Sequence, residues 1–306
     1  MLRKINAFSL GTVLLITIII ISIVVPTIMP EPSAEKFRYN FNQRSLDIPP
    51  FSPSADNWFG TDRNGKDLFY AIVDGAKYTV FFALVITLAR MLLSFIGGLV
   101  FKRLFKNNWV SGLLQGFHYV PQSLIVLLVL SPLLFYELRT QSVLNFTETL
   151  VIQLVVLVAV GIFPLAKIIA EIADSLTQND YVTCAKHMGS SSLQITKRHV
   201  LPHLWPRLFV LAGRQFSQVL TLMLHLAIYH LFIGGVKITS GQEHDQFNNY
   251  STVSNEWTGL ISMYHRELML DPFIVMIPVV AYTLLILCVN IMTKSLEKSF
   301  DKQTIY

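Results

Sequence analysis

Charge is scarce in this chain. Only 14% of its 306 residues are Asp, Glu, Lys or Arg, while 53% are hydrophobic, whereas soluble domains carry roughly 25% charged residues. An ordinary water-soluble globule is thereby excluded, and the composition is that of a polytopic membrane protein. Cysteine is scarcer still. Cys184 and Cys288 are the only two, and their separation suits neither a disulfide framework nor a metal site, so both read as reduced and structural. No GxxxxGK[ST] phosphate loop is present, which argues against nucleotide hydrolysis by the chain itself. The HExxH, GxSxG and paired-cysteine zinc patterns are also missing, so no catalytic residue, metal or bound cofactor is assigned. The net charge of +5 is not gathered into an aromatic-interleaved basic patch, and no nucleic-acid partner is expected. There is no internal repeat and no low-complexity segment.

What is plentiful is long apolar sequence. The first run, Ala7 to Met29, follows Arg3 and Lys4; it outlasts the apolar core of a signal peptide and ends in Pro26 and Pro30 without a small-residue cleavage site, so it is expected to remain as an anchor with its N-terminus inside. Further runs are Thr79 to Phe101, about Tyr119 to Phe135, Leu150 to Ala170, Leu208 to Ile233 and Phe273 to Met292. At 1.5 Å per residue each is long enough for a hydrocarbon core about 30 Å thick, the third only marginally unless it begins nearer Leu113. Pro121, Pro132, Pro164 and Pro278 are expected to kink their helices. The fold expected is an all-α polytopic membrane protein with six transmembrane helices and both termini inside. Lys102, Arg103, Lys106, Lys186, Lys197, Arg198, Arg207, Lys294, Lys298 and Lys302 all fall on the inner side of that scheme. Most acids, including Glu31, Glu35, Asp47, Asp56, Glu243, Asp245 and Glu256, fall outside.

Two polar stretches interrupt this pattern. Residues 180–202 form a basic, amphipathic insert in which Asp180 caps a short helix, Tyr181 to Met188 continue it and Gly189 stops it. A second helical run, Leu193 to Val200, is expected to end before Leu201-Pro202. Two short helices broken at a glycine cannot span a bilayer and should lie at its surface. The plainer reading is a solvated connector with inside-positive charge. The other stretch, Asn57 to Asp67, contains a turn at Asn64-Gly65 and a helix start capped by Asp67, with Leu68 to Ala76 expected as an amphipathic surface helix.

Asp180, Tyr181, Val182, Ala185, Gly189, Leu193, Ile195 and the run Arg198 to Pro202 resemble the cytoplasmic signature (EAA) loop of permease subunits in binding-protein-dependent ABC importers. The match is closest to the dipeptide, oligopeptide and nickel branch. Gly60, Thr61 and Asp62, followed by Gly65 and Asp67, resemble a second motif of that branch, with Lys66 where Arg is usual. Gly75, Lys77, Thr79 and Pro121 to Leu124 follow its pattern, as do Asn290 and Asp301, whereas Thr183 replaces a glutamate, Cys184 the first of two alanines and Gln115 a common aspartate. The resemblance covers nearly the whole chain, more weakly over the outer loop that opens at Gly234-Gly235 and holds Trp257-Thr258-Gly259.

The resemblance implies a type I importer permease divided into an anchor (1–30), an extracytoplasmic segment (31–78) and a core (79–306) carrying the signature loop at 173–207. Within that loop, Asp180, Tyr181, Val182, Thr183, Cys184, Ala185, Lys186, His187, Met188 and Gly189 form the expected coupling helix, with Ala185 and Gly189 as its firmest docking points. The implied partners are a second, homologous permease, two ATP-binding subunits that carry ATP and magnesium, an extracytoplasmic substrate-binding protein and membrane lipid, in a bacterial plasma membrane. Peptides are the expected cargo; nickel or a metal chelate is the alternative, and a membrane sensor or accessory protein is the reading from another class. Charge at bilayer depth is costly, which draws attention to Arg90 and to Arg214, Gln218, Thr221 and His225, spaced four, three and four along one helical face. They are expected either to line the translocation path, offering donors to peptide carbonyls or a carboxylate, or to hydrogen-bond a partner subunit. His225 and His230 are out of phase for a metal pair.

Overall fold

The computed structural model describes residues 7–34, 37–40, 45–55, 57–105, 107–140, 146–233, 236–239, 249–252 and 254–301. Expectations placed on Arg3, Lys4, Glu35, Asp56, Lys106, Gly234, Gly235, Glu243, Asp245 and Lys302 lie outside these residues. The elements in order are α1 (Ala7–Ile28), β1 (Arg38–Asn40), β2 (Ser45–Asp47), α2 (Leu68–Val100), α3 (Lys102–Phe105), α4 (Asn108–Tyr119), α5 (Gln122–Thr140), α6 (Phe146–Thr177), α7 (Asp180–His187) and α8 (Ser192–Ile195). A π turn (Thr196–Val200), α9 (Leu201–Ile228), β3 (Val236–Thr239), β4 (Asn249–Thr252), α10 (Trp257–Tyr264), a 3₁₀ turn (His265–Met269) and α11 (Pro272–Asp301) complete the chain. Each pair of strands makes an antiparallel hairpin.

Four helices are long and apolar enough to cross a membrane: Ala7–Ile28, Leu68–Val100, Thr147–Thr177 and Pro272–Phe300, counted among the described residues. The expected third span corresponds to α5, in which Gln122–Pro132 is an apolar helical stretch among the described residues. The expected fifth corresponds to α9, which has 28 residues but carries Arg207, Arg214, Gln215, Gln218 and His225 among its apolar positions.

Contacts divide the chain into two units. Among the described residues, the first comprises those within 9–82 and 223–288, and the second those within 83–222 and 289–301, with 7 and 8.

In the first unit, α1 is apolar on nearly every side, and only Gly11 and Ser22 are buried. Ser22 is the fastening. Its hydroxyl donates to the Val73 carbonyl at 2.5 Å and accepts from the Lys77 N–H at 2.9 Å, two α2 groups one helical bond apart. The hydroxyls of Thr12, Thr17 and Thr27 turn back onto carbonyls of α1 itself, which satisfies them without water.

Several sequence expectations are corrected. The surface helix 68–76 and the span from Thr79 are a single 33-residue helix, α2. Nothing between Ala76 and Thr79 breaks it: the Lys77 ammonium meets Asp74 at 2.7 Å one turn earlier, and Thr79 Oγ1 donates to the Gly75 carbonyl. Pro121 lies between α4 and α5 instead of within a helix. Val120 before it is extended, as a residue preceding proline tends to be, while Pro132, Pro164 and Pro278 do sit inside helices. The expected fifth span ends at Ile228, short of Ile233. His230, at φ 59°, takes the left-handed position after the helix; its N–H donates to Ala227 O and the Leu231 N–H to Leu226 O, the Schellman arrangement more often built on glycine.

The second unit packs around Leu165, Ile169, Ala173, Leu176, Val182, Ile195, Val200, Leu204 and Leu208. These belong to the end of α6, the short segments α7 and α8, the π turn and the start of α9. The polar insert therefore contributes its own apolar side chains to a core.

Candidate functional site

The insert begins where α6 ends. Asp180 does not cap α7: Asn179 holds the cap position with extended backbone and makes no side-chain cap bond. Asp180 instead occupies the first turn, where its charge favours the positive helix end. The backbone N–H groups of Val182 and Thr183 reach the Asn179 carbonyl. Gly189, at φ 86°, ends the helix as its sequence implies. Its N–H donates to Lys186 O and the Ser190 N–H to Ala185 O, a Schellman stop that requires a left-handed residue.

Val182 and Ala185, three apart on α7, are each only 3% exposed. The Val182 side chain belongs to the core formed with α6 and α9, and Ala185 is buried on the same face of α7 instead of lying on its exposed side. Asp180, Tyr181, Thr183, Cys184, Lys186, His187 and Met188 form the exposed face, with Met188 80% exposed. Thr183 Oγ1 turns back to the Asn179 carbonyl, so this position offers no charge where a glutamate would.

Ser191 caps α8, accepting the Gln194 N–H. The second helical run then departs from expectation. It does not end before Leu201-Pro202 but passes through the π turn, where the Leu201 N–H donates to Thr196 O, directly into α9. Pro202 has no N–H to give to the preceding turn, and the wider π turn lies directly before it. Tyr181 lies beside His199 and His203, with ring centroids 6.3 and 5.5 Å away, bringing α7 against the start of α9.

Along α9, Arg214, Gln218, Thr221 and His225 are all exposed, while Val219, Leu220, Met223, Leu226 and Ala227 are buried. The polar stripe read from the sequence is thus real. Arg214 Nη2 meets Glu297 at 2.6 Å, Gln218 accepts from Gln215, and Thr221 donates to Ser217 O. Ser217 donates to Asn290 on α11 at 2.8 Å. Beside the stripe is a cavity of about 690 Å³ whose walls include Ile125, Val160, Phe163 and Pro164, with Gln122 and Gln218 as its polar groups.

Arg90 does not join the stripe. It is 0% exposed, and its Nε and Nη2 donate to the Leu157 carbonyl of α6 at 3.0 and 2.5 Å. Four residues along α2, Ser94 donates to Ile162 O. Gly161 makes room for the guanidinium: a Cβ there would lie 2.5 Å from Arg90 Cζ. This is a helix-to-helix clamp within one chain, a role the sequence offered only for a partner subunit.

The Gly60–Asp67 motif acquires a physical role. Gly60, at φ 73°, leaves no space for a side chain against the Phe51 carbonyl. The Thr61 N–H donates to that carbonyl, and its hydroxyl accepts the Phe51 N–H. Asp62 Oδ1 accepts the N–H groups of Asn64 and Lys66, both at 2.8 Å, closing the turn at Gly65. Asp67 Oδ1 caps α2 through the Tyr70 N–H. Burial pushes the Asp62 carboxyl above its ordinary range while the two backbone donors pull it back. Its other oxygen accepts the Tyr264 hydroxyl.

The segment 254–264, overlooked in the sequence apart from Trp257-Thr258-Gly259, is bolted to the first turns of α2. Trp257 donates its ring N–H to Ile72 O and its backbone N–H to Thr79 Oγ1. Asn255 donates to Asp74. Glu256, read as one more loop acid, is 0% exposed.

No group of three or more His, Cys, Asp or Glu side chains suited to a metal occurs among the described residues. A core that takes in its own polar loop and a helix with one polar stripe are features of a helical membrane transport component, and comparison with known proteins gives the family. Residues 91–302 match the profile described as binding-protein-dependent transport system inner membrane component. The chain belongs to that family and is a multi-pass membrane protein. It is 25% identical over 203 residues to a putative peptide transport system permease protein of Brucella suis biovar 1, covering 66% of this chain and 62% of that one. It is likewise 25% identical over 202 residues to the dipeptide transport system permease protein DppC of Bacillus subtilis, covering 66% and 57%. To the inner membrane ABC transporter permease protein YejE of Escherichia coli K12 it is 31% identical over 163 residues, covering 50% and 42%. The chain thus spans less than two thirds of the length of these curated relatives.

Proposed function

We propose that this chain is a permease subunit of an ATP-driven importer of dipeptides or oligopeptides. The observation that carries the proposal is α7: a short polar helix that packs Val182 into the subunit's core and buries Ala185, leaving Thr183, Cys184, Lys186, His187 and Met188 exposed. The names of the relatives supply the cargo class. In this reading α1, α2, α5, α6, α9 and α11 are six crossings of a bacterial plasma membrane with both termini in the cytoplasm. The α7 loop meets one of two ATP-binding subunits, which hold ATP and magnesium. A second permease completes the path, and an extracytoplasmic binding protein delivers substrate.

The mechanism follows from how α7 is fastened. Val182 shares a core with Leu165, Ile169 and Ala173 of α6 and with Leu204 and Leu208 of α9, so displacement of α7 by a closing ATPase dimer is resisted by close-packed side chains instead of being absorbed in a slack loop. The π turn transmits it directly into α9 because the chain has no break there. Arg214, Gln218 and Thr221 ride on α9 and face the path, where their donors suit peptide carbonyls and carboxylates. Transport requires the ATPase to favour one conformation over another, and α7 is the element placed to carry that difference.

Cys184 gives a direct test. On a Cys288→Ser background, Cys184 in the isolated subunit is expected to react readily with a water-soluble maleimide and to lose most of that reactivity when the ATP-binding subunits are bound. Equal labelling with and without them would remove α7 from the contact. Gly189→Asn should transport normally because Asn tolerates the left-handed region, whereas Gly189→Trp adds roughly 1 kcal/mol of local strain and a bulky side chain on the exposed face. That variant is expected to insert normally but to lose substrate-stimulated ATPase activity in the assembled complex.

A further inference from the structure

Glu256, like Asp62, is an acid outside the apolar runs that the structure buries. Its side chain is wholly buried at the start of α10. Oε1 accepts the Ile233 N–H at 3.1 Å, just beyond α9, and the neighbouring Ser254 hydroxyl donates to the Ile233 carbonyl. Oε2 has no hydrogen-bond partner. The segment on either side is held firmly: Asn255 crosses so close to α2 that a Cβ on Gly75 would overlap its carbonyl, and Trp257 makes its two bonds to Ile72 and Thr79. Glu256 is therefore fixed where water cannot reach it while the segment stays in place.

Among the described residues, the surrounding elements supply no counter-charge. On α2, Lys77 is taken by Asp74, which also accepts from Asn255. Beyond α9, His230 faces Ser262 and His265. On α10, Tyr264 is turned to Asp62; in the 3₁₀ turn, Glu267 pairs with Arg63, and Arg266 acts on His230. On β4, Thr252 is uncharged. Tyr282 of α11 is the titratable group coupled electrostatically to Glu256, and it is neutral at ordinary pH. An anion here would be buried with half its acceptors unused, which costs far more than a neutral carboxylic acid in the same place.

We propose that Glu256 is a proton-operated latch: its neutral form holds segment 254–264 against the end of α9 and against α2, and its ionisation loosens that segment. Under the importer reading this segment is extracytoplasmic, so the proton would come from outside the cell and external pH would bias this part of the permease. The latch itself requires neither partner nor cargo.

The direction of the pH effect is set by the carboxyl. Burial pushes it up to about 7, against the Thr258 hydroxyl and the Ile233 N–H, which favour the anion. A segment swung into water would return it to the ordinary value of 4.5. The closed form therefore binds the proton more tightly. Its advantage is complete below 4.5, is lost as pH rises to about 7, and changes no further above that.

The test is amide hydrogen exchange on the full chain in lipid nanodiscs between pH 5 and pH 8.5, corrected for intrinsic exchange rates. Protection of Ile233 and of residues 254–264 is expected to fall about fortyfold between pH 5 and pH 7 and only about twofold more by pH 8.5. Glu256→Gln, a neutral isostere that keeps an acceptor for Ile233, should be protected equally at every pH. A flat profile in the wild-type chain overturns the latch whether or not the variant folds, and so does a profile unchanged by the substitution. Because the readout needs no transport, a latch without peptide uptake would count against the importer reading alone, and uptake without a latch against this proposal alone.

Discussion

Gly161→Ala is expected to destabilise the second unit by about 3 kcal/mol, seen as a lowered unfolding temperature of the detergent-solubilised chain. The added methyl meets Arg90, whose side chain is fully buried and has nowhere to retreat. To accommodate it the guanidinium must give up the Leu157 carbonyl, leaving a cation without a partner in the interior. Removing the charge instead should be mild. Arg90→Met keeps most of the volume, frees Leu157 O to its own helical partner and abolishes the desolvation cost, a type of exchange that is often neutral or stabilising.

The two substitutions share one contact and should not be additive. Arg90→Met combined with Gly161→Ala is expected to recover most of the stability lost by Gly161→Ala alone, because a flexible thioether can move aside where a fixed guanidinium cannot. Additive losses in the double variant would show that Gly161 is constrained by something other than Arg90. Uptake by Arg90→Met also separates the two roles first weighed for this arginine: a stable, assembled variant that has lost transport would return Arg90 to the path.

Local devices were legible because their causes are local. Asp67 caps α2 and Gly189 stops α7 through groups within a few residues, and the period of Arg214, Gln218, Thr221 and His225 set them on one face of α9 whatever surrounds it. The apolar runs marked the long helices for the same reason. They could not mark where helices join, because residues 76–79 and 200–202 contain no signal that outweighs continuation, and proline near a helix start is permissive. Which polar residues are buried was less legible still. Glu256 and Glu31 look alike in sequence; one lies beneath Ile233 and the other is near Lys66 at 3.3 Å with both side chains exposed. Hydrophobicity also does not distinguish lipid from protein as the neighbour, and the resemblance that named Ala185 a docking position carries no sign that its side chain is buried.

Gly75→Ala should have the largest effect in the first unit. Gly75 has ordinary helical geometry, so the substitution adds no backbone strain and would be favourable on helix propensity alone, by about 1 kcal/mol. The obstacle is the partner surface. A Cβ at this position overlaps the backbone carbonyl of Asn255, and a backbone atom flanked by residues as tightly held as Glu256 and Trp257 has no rotamer to change. The segment must lift from α2, which breaks the Trp257 bonds to Ile72 and Thr79 and that of Asn255 to Asp74 and exposes Glu256 to water. Loss of three hydrogen bonds at about 1 kcal/mol each, together with the uncovering of Trp257, outweighs the propensity gain. The expected result is loss of hydrogen-exchange protection across residues 254–264 and at Ile233 at all pH values, with the Leu165–Leu208 core unchanged. Because lifting the segment hydrates Glu256, the variant should also lose the pH dependence, reaching by a steric route the state that ionisation of Glu256 produces. Retained protection in Gly75→Ala would mean that α2 and this segment are not in direct backbone contact, and the latch would lose its anchorage.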